Sequence, residues 1–321
     1  MKIYWRSKEG SAAPKNAQFY LRTFSNSALI PINEVISELP QQSERLAVLS
    51  RTDLPDINRW IKLIDQTLLE IESGRLEKVV IARETTLSLP HAPNPFEIAA
   101  KLSAHAVGTA IFCIDFGNGK SIVGATPERL YQRDQFSIQA EALAGTRKRA
   151  ATVSEDKCFG DELLNSEKER REFEIVKTYL TYFLAPFCNN APQLGDTRIH
   201  RTSTVQHLHA VATGTLQLID DGKMLNSFHP SPALSGWPKE EALEWIKQNE
   251  PFERGYYCGA VGWQTDVASD WAALIRCCYI DGTIAKLYAG TGIVKGSDAN
   301  KEWDELESKL SVFKEVFSCL S

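Results

Sequence analysis

The chain is poor in the features that assign a protein quickly. Only two of its 321 residues are methionine, and its seven cysteines (113, 158, 188, 258, 277, 278 and 319) are odd in number and never spaced C-x-x-C. That argues against a disulfide framework and against a zinc ribbon, and is consistent with reduced core thiols. No apolar run approaches the length needed to span a bilayer, and "MKIYWRSKEGSAAPKNAQFY" at the start has no signal-like apolar stretch. A cytoplasmic protein with no membrane partner is expected. Basic residues do not dominate: 36 Lys and Arg stand against 41 Asp and Glu, a net charge of −5, so nucleic acid is not an expected partner. The phosphate-cradling G-x-x-x-x-G-K-[ST] is missing, which ranks a Mg²⁺-dependent phosphoryl transferase last among the candidates. Internal repeats and low-complexity tracts are missing too, and linker candidates reduce to 40–43 and 189–193. One domain over 1–321 is therefore expected.

What is present is a patterned chain with 43% hydrophobic residues, enough for a large core. In 55–73, Ile57, Ile61, Ile64, Leu68 and Ile71 recur at helical spacing and Gly74 stands as a stop signal. Strands are predicted at 78–89, 109–116, 121–125, 136–143, 206–218, 256–264, 271–280 and 283–290. Further helices are predicted near 95–104, at 157–185, at 238–249 and from about 299 to 318. Strands come in groups joined by hairpin-like turns rather than alternating with helices. This predicts an α+β fold of large, mostly antiparallel sheets packed in layers with flanking helices.

Two helices carry acids in unusual places. In 161–183 the apolar stripe Val176, Leu180, Phe183, extended backward by helical steps, lands on Glu172 and Glu169. In the last helix Glu302, Glu305 and Lys309 form a row beside the stripe Trp303, Leu306, Leu310. Two Glu pairs at i, i+3 could enclose a hard cation such as Mg²⁺, which takes carboxylates, water and substrate oxygens. The plainer alternatives are a solvated first turn and an i, i+4 Glu305–Lys309 surface pair worth about 0.3–0.5 kcal/mol. "AGTGIV" (289–294) reads as a bare turn whose backbone N–H groups could receive a carboxylate or phosphate. Glu128 follows a Pro-fixed corner in "GATPERL", and Lys78 opens a strand in "KVVIAR". Taken singly, each reads as a surface charge.

In order along the chain, "KVVIAR" (78–83), "GATPERL" (124–130), "EALAGTRKR" (141–149), "SEKERREFEIV" (166–176), "VQHL" (205–208), "HPSPALSGWPKEEA" (229–242), "EPFERGYYCGAVGW" (250–263), "LIRC" (274–277), "LYAGTGIVKGSD" (287–298) and "KEWDELESKL" (301–310) resemble the chorismate-using enzymes. That family comprises the isochorismate, salicylate, anthranilate and aminodeoxychorismate synthases. The resemblance implies that Lys78 is a general base activating water, and Glu128 a general acid protonating the departing C4 hydroxyl of chorismate. For the acid role, the site must push the Glu128 pKa upward. The resemblance further implies Mg²⁺ on Glu172 and Glu302, with Glu169 and Glu305 completing the acidic shell. It assigns the ring carboxylate to the amides of Gly290, Thr291 and Gly292 and to Lys309, and the enolpyruvyl carboxylate to Arg276. His207 becomes a substrate contact, Gly145 and Thr146 line the pocket, and Ala233 and Leu234 shape the water-side wall.

The subtype follows from departures within these motifs. Ala144 stands where amine-adding members with a covalent lysine carry it, so neither ammonia chemistry nor a glutamine amidotransferase subunit is expected. Tyr288 stands where salicylate synthases usually place arginine, which argues against a pyruvate-lyase step. "RRE" at 170–172 replaces the His-Glu common in siderophore-type members, so the chain looks closer to menaquinone-pathway isochorismate synthases. Salicylate synthase, siderophore-pathway isochorismate synthase and a catalytically silent chorismate-binding protein remain the alternatives. About 75 residues precede Lys78, shorter than in most relatives, and a monomer is expected.

Overall fold

The computed structural model describes residues 1–41 and 44–320. Positions 42 and 43 of the first linker candidate lie outside the described residues. Two nine-stranded sheets dominate, and every ladder is antiparallel except the short pairing of Lys2–Arg6 with Glu34–Val35. Both sheets contribute to one apolar cluster, from Val79, Ile81 and Val123 on the first to Ala140, Leu208 and Val261 on the second. The expected layered antiparallel α+β architecture is what forms.

The helix expected at 55–73 runs Ile57–Glu72. Asp56 caps it by accepting hydrogen bonds from the Asn58 and Arg59 amides, and Gly74 turns the chain out at φ +79°. Its buried face is rotated from the isoleucine stripe onto Trp60, Leu63, Ile64 and Thr67, leaving Ile57 37% exposed. The cause is Trp60, fully buried, whose indole N–H donates to the Ala299 carbonyl at 2.9 Å and stacks edge-on against Trp303.

Four expectations about elements need correction. The helix at 157–185 is two helices, Val153–Asn165 and Glu167–Leu184, parted at Ser166, whose hydroxyl caps the second by accepting from the Glu169 amide. The last helix stops at Leu310 and passes into a 3-10 turn at Ser311–Phe313. The strand expected at 271–280 is two strands in different sheets, Ala268–Ala273 and Cys277–Asp281, parted at Arg276, which takes a left-handed φ of 50°. "AGTGIV" is no turn: it is the end of an eleven-residue strand, Ile284–Val294. Glycine there serves close approach rather than reversal. Sequence reading also passed over the helix Asp221–Phe228 and the strand Arg129–Asp134.

Two short crossings from one sheet to the other decide where chemistry can occur. Strand Lys120–Thr126 belongs to the first sheet and Arg129–Asp134 to the second, with Pro127 and Glu128 between them. Ala268–Ala273 and Cys277–Asp281 make the return crossing beside it. Hydrogen bonds stitch the two crossings together, from the Ala273 amide to the Glu128 carbonyl at 3.0 Å and from the Ala125 amide to the Arg276 carbonyl at 3.1 Å. Glu128 and Arg276 are thus placed side by side by the parting of paired strands.

Candidate active site

The cavity at this parting is walled by Glu128, Gly145, Thr146, Glu172, His207, Ala233, Leu234, Arg276, Gly290, Gly292 and Lys309. Segments far apart in sequence therefore converge as expected. Lys78 and Thr291 stand just behind the wall. Lys78 is fully buried, its Nζ 3.1 Å from Glu172 Oε1 but out of line for a hydrogen bond and without another partner. A Cβ on Gly292 would collide with the Glu172 carboxylate and approach Lys78 Cε to 2.7 Å. Only glycine lets both groups reach this edge.

Backbone register explains why the glycine strand can offer its amides. The amide and carbonyl of Val80 bond away from it, to the Ser235 carbonyl and the Arg254 guanidinium, and the Ala82 amide bonds to Glu250. Val80 faces Gly292 and Ala82 faces Gly290, so both pairs are of the non-hydrogen-bonded kind. The glycine N–H and C=O groups consequently point the other way, where the neighbouring strand has left the ladder at Arg276. Lys309 Nζ donates to the Gly290 carbonyl at 2.8 Å on that side.

Glu128 is buried, and that burial pushes its carboxyl pKa from 4.5 up to about 7, with Glu141 adding to the rise and Lys78 opposing it. The upward shift required of a general acid is present. Burial likewise pushes the Arg276 guanidinium down to about 10, and among the described residues it has no carboxylate partner. Its hydrogen bond runs from Nη2 to His207 Nε2 at 3.2 Å. His207 Nδ1 lies 2.9 Å from the Gly145 carbonyl, so that carbonyl fixes the proton on Nδ1 and leaves Nε2 to accept from Arg276. Burial and the Arg276 charge hold this imidazole well below its ordinary pKa, hence neutral. Gly145, at φ +68°, is the extra residue of a bulge that brings Thr146 opposite His207.

The four glutamates, whose burial helical periodicity left open, lie close to one another, and the solvated-turn alternative fails. Glu169, Glu172 and Glu302 are 3%, 6% and 2% exposed. Each carboxylate already faces a basic side chain: Glu169 with Arg147 at 2.9 Å, Glu172 with Lys78 at 3.1 Å, Glu302 with Lys168 at 2.8 Å, Glu305 with Lys309 at 2.5 Å. The Glu305–Lys309 pair is buried rather than a surface bridge. Thr291 Oγ1 donates to Glu302 Oε2 at 2.5 Å and contacts Glu305 Oε1 at 3.0 Å. Burial, followed by the neighbouring carboxylates, raises the pKa of Glu302, and burial does the same for Glu169. An all-oxygen donor set whose charges crowd one another suits a hard divalent cation by its chemistry. Among the described residues, no three acidic, histidine or cysteine side chains are already gathered around a common metal position.

Sequence reading missed Tyr257 and used Tyr288 only to argue the subtype; the two rings stack at 5.1 Å and line the cavity, with a Gly290 Cβ excluded by the Tyr257 hydroxyl at 2.7 Å. It also missed Lys168, whose place in "SEKERRE" looked like one more charge on a solvated turn. All seven cysteines are free thiols; five lie in the core as expected, whereas Cys319 is half-buried and Cys158 is exposed. No helix among the described residues is long and apolar enough to cross a membrane.

Known proteins resemble this chain in sequence and fold. The chloroplastic isochorismate synthase of Catharanthus roseus is 34% identical over 289 residues, which cover 89% of this chain and 50% of that protein. The isochorismate synthase MenF of Escherichia coli is 30% identical over 96% of this chain and 72% of its own length. The solved structure of that menaquinone-specific enzyme superposes with a TM-score of 0.81 at 29% identity, over 89% of this chain and 66% of that one. The chain thus spans about half the length of the plant relative and more of the bacterial one. The model of the chorismate binding enzymes matches residues 18–318, and with these relatives it shows that the chain belongs to the chorismate-binding enzyme family.

Proposed function

We propose that this chain is an isochorismate synthase, converting chorismate to isochorismate with Mg²⁺, and that it serves menaquinone biosynthesis. The observation carrying the reading is Glu128, a carboxylic acid with a pKa of about 7, on the cavity wall within the electrostatic reach of the buried Lys78 amine. Lys78 takes a proton from water as its oxygen bonds to C2, and the ring double bonds shift. Glu128 gives its proton to the C4 hydroxyl, which leaves as water. Arg276, a buried cation with no carboxylate of its own, receives the enolpyruvyl carboxylate, and His207 fixes the direction of its guanidinium. The Gly290 and Gly292 amides and Lys309 receive the ring carboxylate. Glu172 and Glu302 would hold Mg²⁺ directly, with Glu169 and Glu305 around it. The bound cation would offset the charge of the ring carboxylate. The similar Escherichia coli enzyme, named a menaquinone-specific isochorismate synthase, supports the pathway.

Product analysis tests the reading. Purified protein with chorismate and Mg²⁺, without glutamine or ammonia, should yield isochorismate, and none after EDTA. Salicylate with pyruvate, anthranilate on adding ammonia, or chorismate binding without turnover would each replace it.

A further inference from the structure

Lys168 reaches glutamates of both helices, and no catalytic role falls to it. It is the second residue of helix Glu167–Leu184, and its Nζ lies 2.8 Å from Glu302 Oε1 on helix Ala299–Leu310 and 3.5 Å from Glu169 Oε1. Among the described residues this is the one ion pair joining the two glutamate-bearing helices. Burial works against its charge, yet Glu305, Glu302, Glu172 and Glu169 together raise its affinity for the proton above that of an ordinary lysine. Next to it the fully buried Lys78 Nζ, without a hydrogen bond, faces the same cluster.

Both oxygens of Glu302 are engaged, Oε1 by Lys168 and Oε2 by Thr291. Each oxygen keeps a second lone pair, so the neutral hydroxyl can stay beside a cation that takes Glu302 as a ligand, whereas an ammonium 2.8 Å away competes with it. Thr291 is 1% exposed and fixed within a strand paired on its far side, so its hydroxyl cannot withdraw. Lys168 hangs on a flexible four-carbon stem with its side chain 19% exposed, and an ammonium beside a divalent ion is repelled. We propose that Lys168 is a built-in competitor for the divalent cation: it holds Glu302 and pins the two helices together until the cation displaces its ammonium toward solvent. The intrinsic affinity of the cluster for Mg²⁺ is thereby lowered, so that the cation binds as an exchangeable partner. This inference rests on the reading of the four glutamates as a Mg²⁺ site.

Two measurements on the full chain test it without using activity. Calorimetric titration with MgCl₂ should give a Kd for Lys168→Met about tenfold tighter than for the parent, the scale on which groups behind metal ligands act. The same variant should melt lower in EDTA and gain more from Mg²⁺ than the parent does. In the parent itself, labelling of lysines by an acylating reagent, read by mass spectrometry, should rise severalfold at Lys168 on adding MgCl₂. This second readout stands even if the variant folds poorly. A parent that binds Mg²⁺ while Lys168 labelling stays level or falls overturns the competitor role alone. An unchanged or weaker Kd in a folded variant does the same. A parent that binds no Mg²⁺ overturns both this inference and the metal site beneath it.

Discussion

At the scale of single residues, the proposed reaction needs a proton donor, and burial prepares Glu128 for it by raising its pKa to about 7. Glu128→Gln should lower kcat by about 10²–10⁴-fold, the usual contribution of general acid catalysis, with little change in chorismate affinity. Lys78→Ala should abolish turnover while leaving binding measurable, and unchanged activity would remove Lys78 as the base. The pKa of Glu128, raised from 4.5 to about 7, means the folded chain holds this proton more tightly than the unfolded one. Its contribution to stability is complete below pH 4.5 and is lost as pH rises through about 7. Activity should fall along the same alkaline limb, and in Glu128→Gln the loss of thermal stability between pH 5 and pH 8 should shrink. The convergence of Lys78, Glu128, Arg276 and the four glutamates was legible from their motifs. Tyr257 and Lys168 were not, because an aromatic within an apolar run and a lysine within a charged turn carry no sign of their neighbours across the fold.

Among the elements, the glycine strand and the two glutamate helices need different explanations. Helical periodicity put Glu169 and Glu172 on an apolar stripe, a local fact, but left a solvated turn equally open. It could not show the break at Ser166, where the charge pattern runs on while a cap restarts the helix. It misjudged "AGTGIV" as well, because bare glycines look the same whether a chain reverses or a side chain must pass close by. Gly292→Ala discriminates these. Its methyl would displace the Glu172 carboxylate and Lys78 Cε, so kcat should drop by about 10²-fold, the usual result of displacing a reacting group by about 1 Å. A turn glycine at negative φ would tolerate alanine. The measurement is kcat and Mg²⁺ dependence of the variant beside its melting curve.

For the molecule as a whole, antiparallel layering was legible from strand grouping, whereas the switching of strands between sheets was not, since an apolar run reads alike in either sheet. One buried assembly far from the glutamates ties helix Asp221–Phe228 to the second sheet. Asp221 accepts from Arg133 Nη2 at 2.7 Å and from Ser269 Oγ at 2.6 Å, with the Tyr131 hydroxyl at 3.2 Å. Asp221→Ala should cost about 3–5 kcal/mol in denaturant unfolding, because it leaves a buried guanidinium unpaired, and KM of the remaining folded enzyme should hold. The two crossings carry a different consequence. Glu128 and Arg276 are continuous through the main chain with both sheets, so a ligand gripping both residues acts as a rivet through the sandwich. Sliding of one sheet over the other would tear at that rivet first. Occupancy of the cavity should therefore slow amide exchange in strands of both sheets at once, well beyond the reach of any direct contact.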